Sequence, residues 1–148
     1  MQDFISGIGY AKRGGEHMNI QKFTQKSVQA VNELEKIAME YGNQEIEQEH
    51  LLYSLLTQEE SLIARLISKM NIDDTLFKEQ VEQALNKRVK VSGGQPYIGQ
   101  YLNKALISAE DEAKRMGDEY VSVEHLFLSL LDNPSPSMKE LFRENGIT

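Results

Sequence analysis

The sequence has no cysteine and no tryptophan. Without cysteine there are no disulfide staples, no zinc–thiolate site and no thiol nucleophile. The absence fits a reducing cytosol. Aromatic residues make up only 7%, so the core is expected to be aliphatic. No apolar run approaches the ~20 residues that cross a bilayer. The N-terminus lacks the apolar stretch of a secretory signal. Positive charge is also short, with 16 Lys and Arg against 23 Asp and Glu and a net charge of −7. That balance argues against a general nucleic-acid binder, whose affinity rests on neutralising phosphates. It argues equally against docking on an anionic membrane. Its plain consequence is solubility. Catalytic loops are missing too. There is no Gly-x-Ser-x-Gly, and Gly93-Gly94 runs into Gln-Pro rather than Lys-Thr, so no phosphate-cradling loop is expected.

What is present is a repeat. Ile46-Glu47-Gln48-Glu49-His50-Leu51-Leu52-Tyr53-Ser54-Leu55-Leu56 returns as Val121-Ser122-Val123-Glu124-His125-Leu126-Phe127-Leu128-Ser129-Leu130-Leu131, every position offset by 75. Ala30/Ala105, Glu35/Glu110, Ala38/Ala113, Leu66/Leu141 and Ile72/Ile147 keep the same offset. A fixed period of this kind reads as two stacked copies of one structural unit. The length of 148 residues suits one domain.

Residues 1–17 hold four glycines and no helical period. The segment reads as a non-native leader or a misassigned start, with the native chain expected to begin at Met18. A first helix is expected from the N-cap Thr24, with Phe23 and Val28 as a hydrophobic staple. Val28, Val31, Leu34, Ala38 and Tyr41 lie on its inner face, and Gly42 stops it. The second helix follows Glu47 as a weak cap, with Glu47 and Glu49 at its positive end. Its run from Leu51 to Leu56 makes it central. The third runs from Ser61 to Met70, with Leu62, Ile63, Leu66 and Ile67 inward. The fourth starts at Asp73 or Asp74, points Leu76, Phe77, Val81, Ala84 and Leu85 inward, and ends near Arg88. Val89 to Gly99 reads as a linker. Helix five, Gln100 to Met116, turns Tyr101 or Leu102, Ala105, Leu106, Ala109 and Ala113 inward and stops at Gly117. Helix six is capped by Ser122. Helix seven is capped by Ser135, with Pro136 at its first position, and ends at Gly146.

The expected fold is all-α, a pseudo-two-fold tandem repeat of two four-helix units. Repeat one covers 18–88, the linker 89–99 and repeat two 100–148. No strand alternation is visible. The partner of helix four would begin after Thr148, so an eighth helix is expected beyond the sequence.

Two Glu-His pairs, 49–50 and 124–125, invite a metal reading. Adjacent helical residues point ~100° apart, so each pair fails to converge on one ion, and no His-x-x-x-His is present. The histidines are expected to pack in the first turn. What remains is surface. Two stacked units leave a crevice, and a helical groove with an acidic rim suits unfolded or basic segments.

Lys22-Phe23-Thr24-Gln25-Lys26, Ile46-x-x-Glu49-His50-Leu51-Leu52 and Asp118-Glu119-Tyr120-Val121-Ser122-Val123-Glu124-His125-Leu126 resemble the duplicated N-terminal domain of the Clp/Hsp100 AAA+ chaperones. Lys22-Phe23-Thr24, Lys90-Val91-Ser92-Gly93 and the 118–125 stretch are most similar to the ClpB disaggregase branch. The resemblance implies a non-catalytic module that captures exposed hydrophobic segments of unfolded or aggregated proteins. The full-length protein it implies is a cytoplasmic, stress-response hexamer with ATP and magnesium in its rings and a coiled-coil insertion, working with the DnaK system. The isolated domain would be a monomer without cofactor, metal, nucleic acid or membrane contact. The alternative is a ClpC- or ClpA-type N-domain that docks adaptors or tagged clients for a protease, and a third reading is a stand-alone domain without an ATPase. By the resemblance, the client-binding groove carries Thr24, Asp118 and Glu124, and repeat symmetry adds Glu49. In ClpC-type domains those two glutamates mark sites for phosphoarginine-tagged clients. Thr24 is matched by Gly99, which argues against a symmetric pair of such sites.

Overall fold

Short polar side chains set most of the helix starts. The computed structural model describes residues 12–13, 16–17 and 20–147. Most of residues 1–17, expected from the sequence to be a leader or a misassigned start, and Met18 and Thr148 lie outside these. Near the start of the sequence, β1 (Lys12–Arg13) pairs antiparallel with β2 (Glu16–His17). Thr24 Oγ1 accepts the Ser27 amide at 3.2 Å and opens α1 (Gln25–Asn32). Glu33 keeps helical angles between α1 and α2 (Leu34–Glu40), so the two continue as one rod. After β3 (Glu45–Ile46) comes α3 (Gln48–Thr57). Ser61 caps α4 (Leu62–Lys69) through the Ala64 amide at 3.0 Å. Asp73 caps α5 (Asp74–Asn86) through the Thr75 and Leu76 amides. Beyond β4 (Tyr97–Ile98), α6 (Gln100–Arg115) starts at Gly99, a residue with no side chain to cap it. Ser122 caps α7 (Val123–Asp132), and Ser135 caps α8 (Pro136–Glu144) with Pro136 in its first turn.

The fold is all-α, and the repeat is visible in its contacts. Helix α3 packs on α1, α2, α4 and α5 of its own half and on α6 and α7 of the other. Leu51, Leu52 and Leu55 are fully buried there. Burying each such side chain contributes roughly 1.5–3 kcal/mol. The two halves reproduce each other's hydrogen bonds. Ser54 Oγ donates to the Ala30 carbonyl at 2.7 Å, and Ser129 Oγ donates to the Ala105 carbonyl at 2.6 Å. In both halves a small alanine lets the helices approach closely enough for that bond. Gly42 (φ 70°) and Gly117 (φ 72°) end the first helix of each half in the left-handed region, where glycine carries no Cβ penalty.

Within 89–99, β4 pairs in parallel with β3, Glu45 against Tyr97 and Ile46 against Ile98, a pairing the sequence did not announce. Phe23 and Val121 form the equivalent parallel bridge. Thus the lead-in to the first helix of each half pairs with the lead-in to the second helix of the other. The Thr24 amide donates to the Val121 carbonyl at 2.9 Å, and the Gly99 amide donates to the Ile46 carbonyl at 2.8 Å. One expectation needs correction: Leu76, expected inward, is 51% exposed. Phe77, Val81 and Leu85 recur at four-residue spacing and are fully buried. Leu76 lies ~100° around the helix from Phe77 and falls outside that stripe. At the start of α6 the inward residue is Leu102, while Tyr101 is exposed.

Candidate functional site

The reciprocal pairing places the start of each half's first helix beside the start of the other half's second helix. Each junction opens a cleft. One, of about 490 Å³, is lined by Thr24, Gln25 and Lys26 at the start of α1, by Gln58, Glu60, Leu62 and Arg65 around the α3–α4 turn, and by Ser122, Val123 and Glu124 at the start of α7. Gln58 Nε2 donates to the Lys26 carbonyl at 2.9 Å, and Lys26 Nζ donates to the Glu59 carbonyl at 3.0 Å. These bonds tie the start of α1 to the α3–α4 turn. The equivalent cleft, about 260 Å³, has Gln100 and Tyr101 opposite Glu47 and Glu49, with Ser135, Pro136 and Ser137 as the turn.

The two clefts differ chemically. In the first, Thr24 caps its own helix and Glu124 is exposed. In the second, position 99 is glycine and the cap comes from the other half. Glu47 carboxylate oxygens accept the Leu102 amide at 2.6 Å and the Tyr101 amide at 3.1 Å. A Cβ on Gly99 would sit 2.7 Å from Glu47 Cδ, so glycine is what admits the carboxylate. Glu47 therefore stands at the N-terminus of α3, where it forms a capping box with His50, and its side chain also caps α6, a role beyond the weak local cap expected. Burial pushes its carboxyl up to about 7; the Leu102 and Tyr101 amides oppose the rise, and the Glu49 and Glu45 charges add to it.

Glu49 is 3% exposed and paired at 3.0 Å with Arg88, whose other Nη reaches Glu45 at 2.6 Å. Ser137 Oγ donates to the same Glu49 oxygen, Oε2, at 3.0 Å. Arg88, Glu45, Glu49 and Ser137 also face a larger crevice of about 780 Å³ between α5 and α8. Its apolar lining is Ala84, Val89, Val91, Tyr97 and Leu141, and Glu140 and Glu144 stand with Lys87 around it.

Of the residues expected in one groove, the structure brings Thr24 and Glu124 together. Glu49 lies in the equivalent cleft. Asp118 lines neither, and its carboxylate accepts His125 Nε2–H at 2.9 Å. His125 Nδ1 accepts the Ser122 amide at 2.9 Å and lies 3.0 Å from Ser122 Oγ. This row of serine, histidine and aspartate resembles a hydrolytic triad only in outline. The Nδ1 lone pair is taken by a backbone donor, and the hydroxyl caps α7. The other half repeats the device without a serine. His50 Nδ1 accepts the Glu47 amide at 2.9 Å, and Nε2 meets Asn43 Oδ1 at 3.0 Å. Burial, and then the Arg88 charge, lower the His50 pKa to about 4, so this imidazole is neutral at physiological pH. Both histidines are buried. Among the described residues no cluster of acids and histidines is arranged to hold a metal ion.

Sequence reasoning missed Arg88, Ser137 and Gln48. Gln48 is fully buried, donates to the Tyr101 and Asn133 carbonyls at 3.0 and 2.8 Å, and accepts the Ser135 amide at 2.8 Å. The only hint was a third polar residue between two glutamates, ahead of an apolar run.

The Clp repeat (R) N-terminal domain family matches residues 22–145. The chain is 43% identical over 137 residues to the chaperone protein ClpB of Nitratidesulfovibrio vulgaris, covering 88% of this chain and 16% of that protein. The Hsp104 N-terminal domain from Candida albicans superposes with a TM-score of 0.75 at 20% identity, covering 86% of this chain and 83% of that one. A ClpV N-domain solved in complex with a VipB peptide superposes at 0.67 with 19% identity, covering 85% and 80%.

Proposed function

This chain belongs to the Clp repeat N-terminal domain family, and from that premise we propose that it is the client-binding module of a ClpB-like disaggregase. The module, with bounds of 18–148, is a binding domain and not an enzyme. The observation that carries the reading is the crevice between α5 and α8. Its walls combine apolar Val89, Val91, Tyr97 and Leu141 with acidic Glu45, Glu140 and Glu144. That combination suits segments that carry apolar and basic side chains. The Thr24–Glu124 cleft offers a second contact, with Asp118 acting on it through His125. Capture is expected to be weak, because a promiscuous site must release what it holds. The chain spans about a sixth of the ClpB relative. The remaining attributes are those of the whole protein: a cytoplasmic hexamer, ATP and magnesium in its rings, and cooperation with DnaK. No described helix is long and apolar enough to cross a membrane.

A second reading is an adaptor- or tag-docking N-domain, as in ClpC or ClpA. It is favoured by the similarity to a ClpV N-domain that carries a defined peptide. Titrating the folded domain with reduced, carboxymethylated lactalbumin and with a folded globular protein separates the two. Binding of the unfolded chain alone supports client capture, and no binding of it by the folded domain rejects that reading.

A further inference from the structure

The sequence holds eight asparagines, and only Asn145 is followed by glycine. That dipeptide is chemically distinct. A glycine nitrogen has no Cβ beside it to shield it, so it can attack the side-chain amide that precedes it. Asn145 also occupies a demanding place in the fold. It ends α8, and its Nδ2 donates to Gln80 Oε1 on α5 at 2.8 Å and to the Leu141 carbonyl at 2.9 Å. Beyond it, Gly146 turns through the left-handed region at φ 71°, and Ile147 enters the core, 5% exposed. The Gly146 amide donates to the Arg143 carbonyl at 3.1 Å, and the Ile147 amide donates to the Phe142 carbonyl at 2.8 Å. One side chain therefore ties α8 to α5 at the turn that delivers Ile147.

We propose that Asn145 is a self-modification site: its amide converts to isoaspartate, Gln80 guards it, and conversion frees Ile147 from the core and loosens α8 from α5. The Gly146 nitrogen attacks Cγ of Asn145, and the new C–N bond closes a cyclic imide. Nδ2 leaves as ammonia, taking the proton of the Gly146 amide. Water then adds to one of the two imide carbonyls. Addition at Cγ gives aspartate on the original backbone. Addition at the main-chain carbonyl breaks the old peptide bond, so the chain continues through Cβ and Cγ and leaves a free carboxylate. The backbone is then one carbon longer, and the Ile147 amide no longer meets the Phe142 carbonyl. Both products replace a double donor by a carboxylate. Gln80 can turn its own amide toward that carboxylate, but the Leu141 carbonyl cannot follow. The new charge also stands at the negative end of α8. In the folded chain the reaction is held back. Asn145 has ψ 9°, which eclipses the Gly146 nitrogen with the Asn145 nitrogen and turns it away from the side chain. Attack therefore requires the last turn of α8 to open, as helix ends do, and the bond to Gln80 opposes that opening. None of this depends on what the crevice between α5 and α8 binds.

The test incubates the whole chain in mildly alkaline buffer, folded and in urea, beside Gln80→Leu and Gln80→Glu. Peptide mapping by mass spectrometry follows each asparagine, and an isoaspartyl methyltransferase with S-adenosylmethionine labels the isomerised product. In urea, Asn145 reacts first of the eight asparagines. In folded Gln80→Leu it reacts about fivefold faster than in folded wild type, the factor that one lost hydrogen bond confers. Gln80→Glu keeps an acceptor and keeps the wild-type rate. The isoaspartyl form, separated by its added charge, unfolds about 3 °C below fresh protein, whereas Asn145→Gln shows no such drift on storage. Another asparagine reacting first in urea overturns the site. Equal rates in folded wild type, Gln80→Leu and urea overturn the guard. An isoaspartyl form with the midpoint of fresh protein overturns the release of Ile147.

Discussion

The Leu102 amide donates to the Glu47 carboxylate at 2.6 Å, across 55 positions of sequence. With the Tyr101 amide at 3.1 Å, this makes a side chain of one repeat the N-cap of a helix in the other. Gly99, directly before, is the vacancy through which the carboxylate enters.

That arrangement makes two substitutions interdependent. Glu47→Ala removes a buried cap and should cost about 1–3 kcal/mol in urea unfolding. Gly99→Ala should cost a similar amount, because its Cβ would lie 2.7 Å from Glu47 Cδ. In the double variant the clash is gone, so the combined loss should be clearly smaller than the sum. Additive losses would show that the two residues act separately.

Glu47 and His50 should give stability opposite dependences on pH. The Glu47 carboxyl titrates near 7 in the folded chain against an ordinary 4.5. Its contribution is complete below about pH 4.5 and is lost as pH rises through 7. His50 titrates near 4 against an ordinary 6.5. Its contribution is complete above about pH 6.5 and is lost as pH falls through 4. Urea midpoints measured across this window should therefore fall less steeply toward high pH in Glu47→Gln, and less steeply toward low pH in His50→Gln, than in wild type.

Thr24 has two jobs that one comparison separates. Thr24→Ala loses the bond to the Ser27 amide and should cost about 1 kcal/mol. Thr24→Ser keeps the cap and should keep stability within a few tenths of a kcal/mol. A loss of client affinity in Thr24→Ala beyond that of an equally destabilised core variant identifies a contact in the Glu124 cleft. Equal losses assign Thr24 to the cap alone.

Adjacent residues on α5 should behave oppositely. Phe77 is fully buried and Leu76 is 51% exposed. Phe77→Ala should cost about 3–5 kcal/mol. Leu76→Ala should stay within about 0.5 kcal/mol. Reversed costs would place the core stripe on the wrong side of the helix.

Much of this fold was legible because its signals are local. Thr24, Ser61, Asp73, Ser122 and Ser135 each bond an amide two or three residues ahead, so the cap lies within one window of sequence. The apolar stripes are legible for the same reason. Leu76 misled because it abuts a true stripe and differs from it only by one helical step. The β3–β4 pair could not be seen, since two residues carry no alternation. Glu47 looked like its neighbours in the motif, while its amide partners are 54 and 55 positions away. Of the site, Thr24 and Glu124 were readable through the family resemblance, and Glu49 through the repeat. Arg88 was not, because the repeat has no counterpart for it within the sequence.

The crossed pairing of Phe23 with Val121 and Ile46 with Ile98 also bears on what holds the domain in one piece. Each half lends the other a pairing segment, the first half lends the second a cap through Glu47, and α3 has apolar neighbours on both sides. Cutting the peptide bond between Gly93 and Gly94 would sever the connection without releasing either fragment. The two pieces should travel together on a sizing column, part only in denaturant, and find each other again on dilution. By the same token neither should fold alone, so the unit duplicated in the sequence is not the unit that folds.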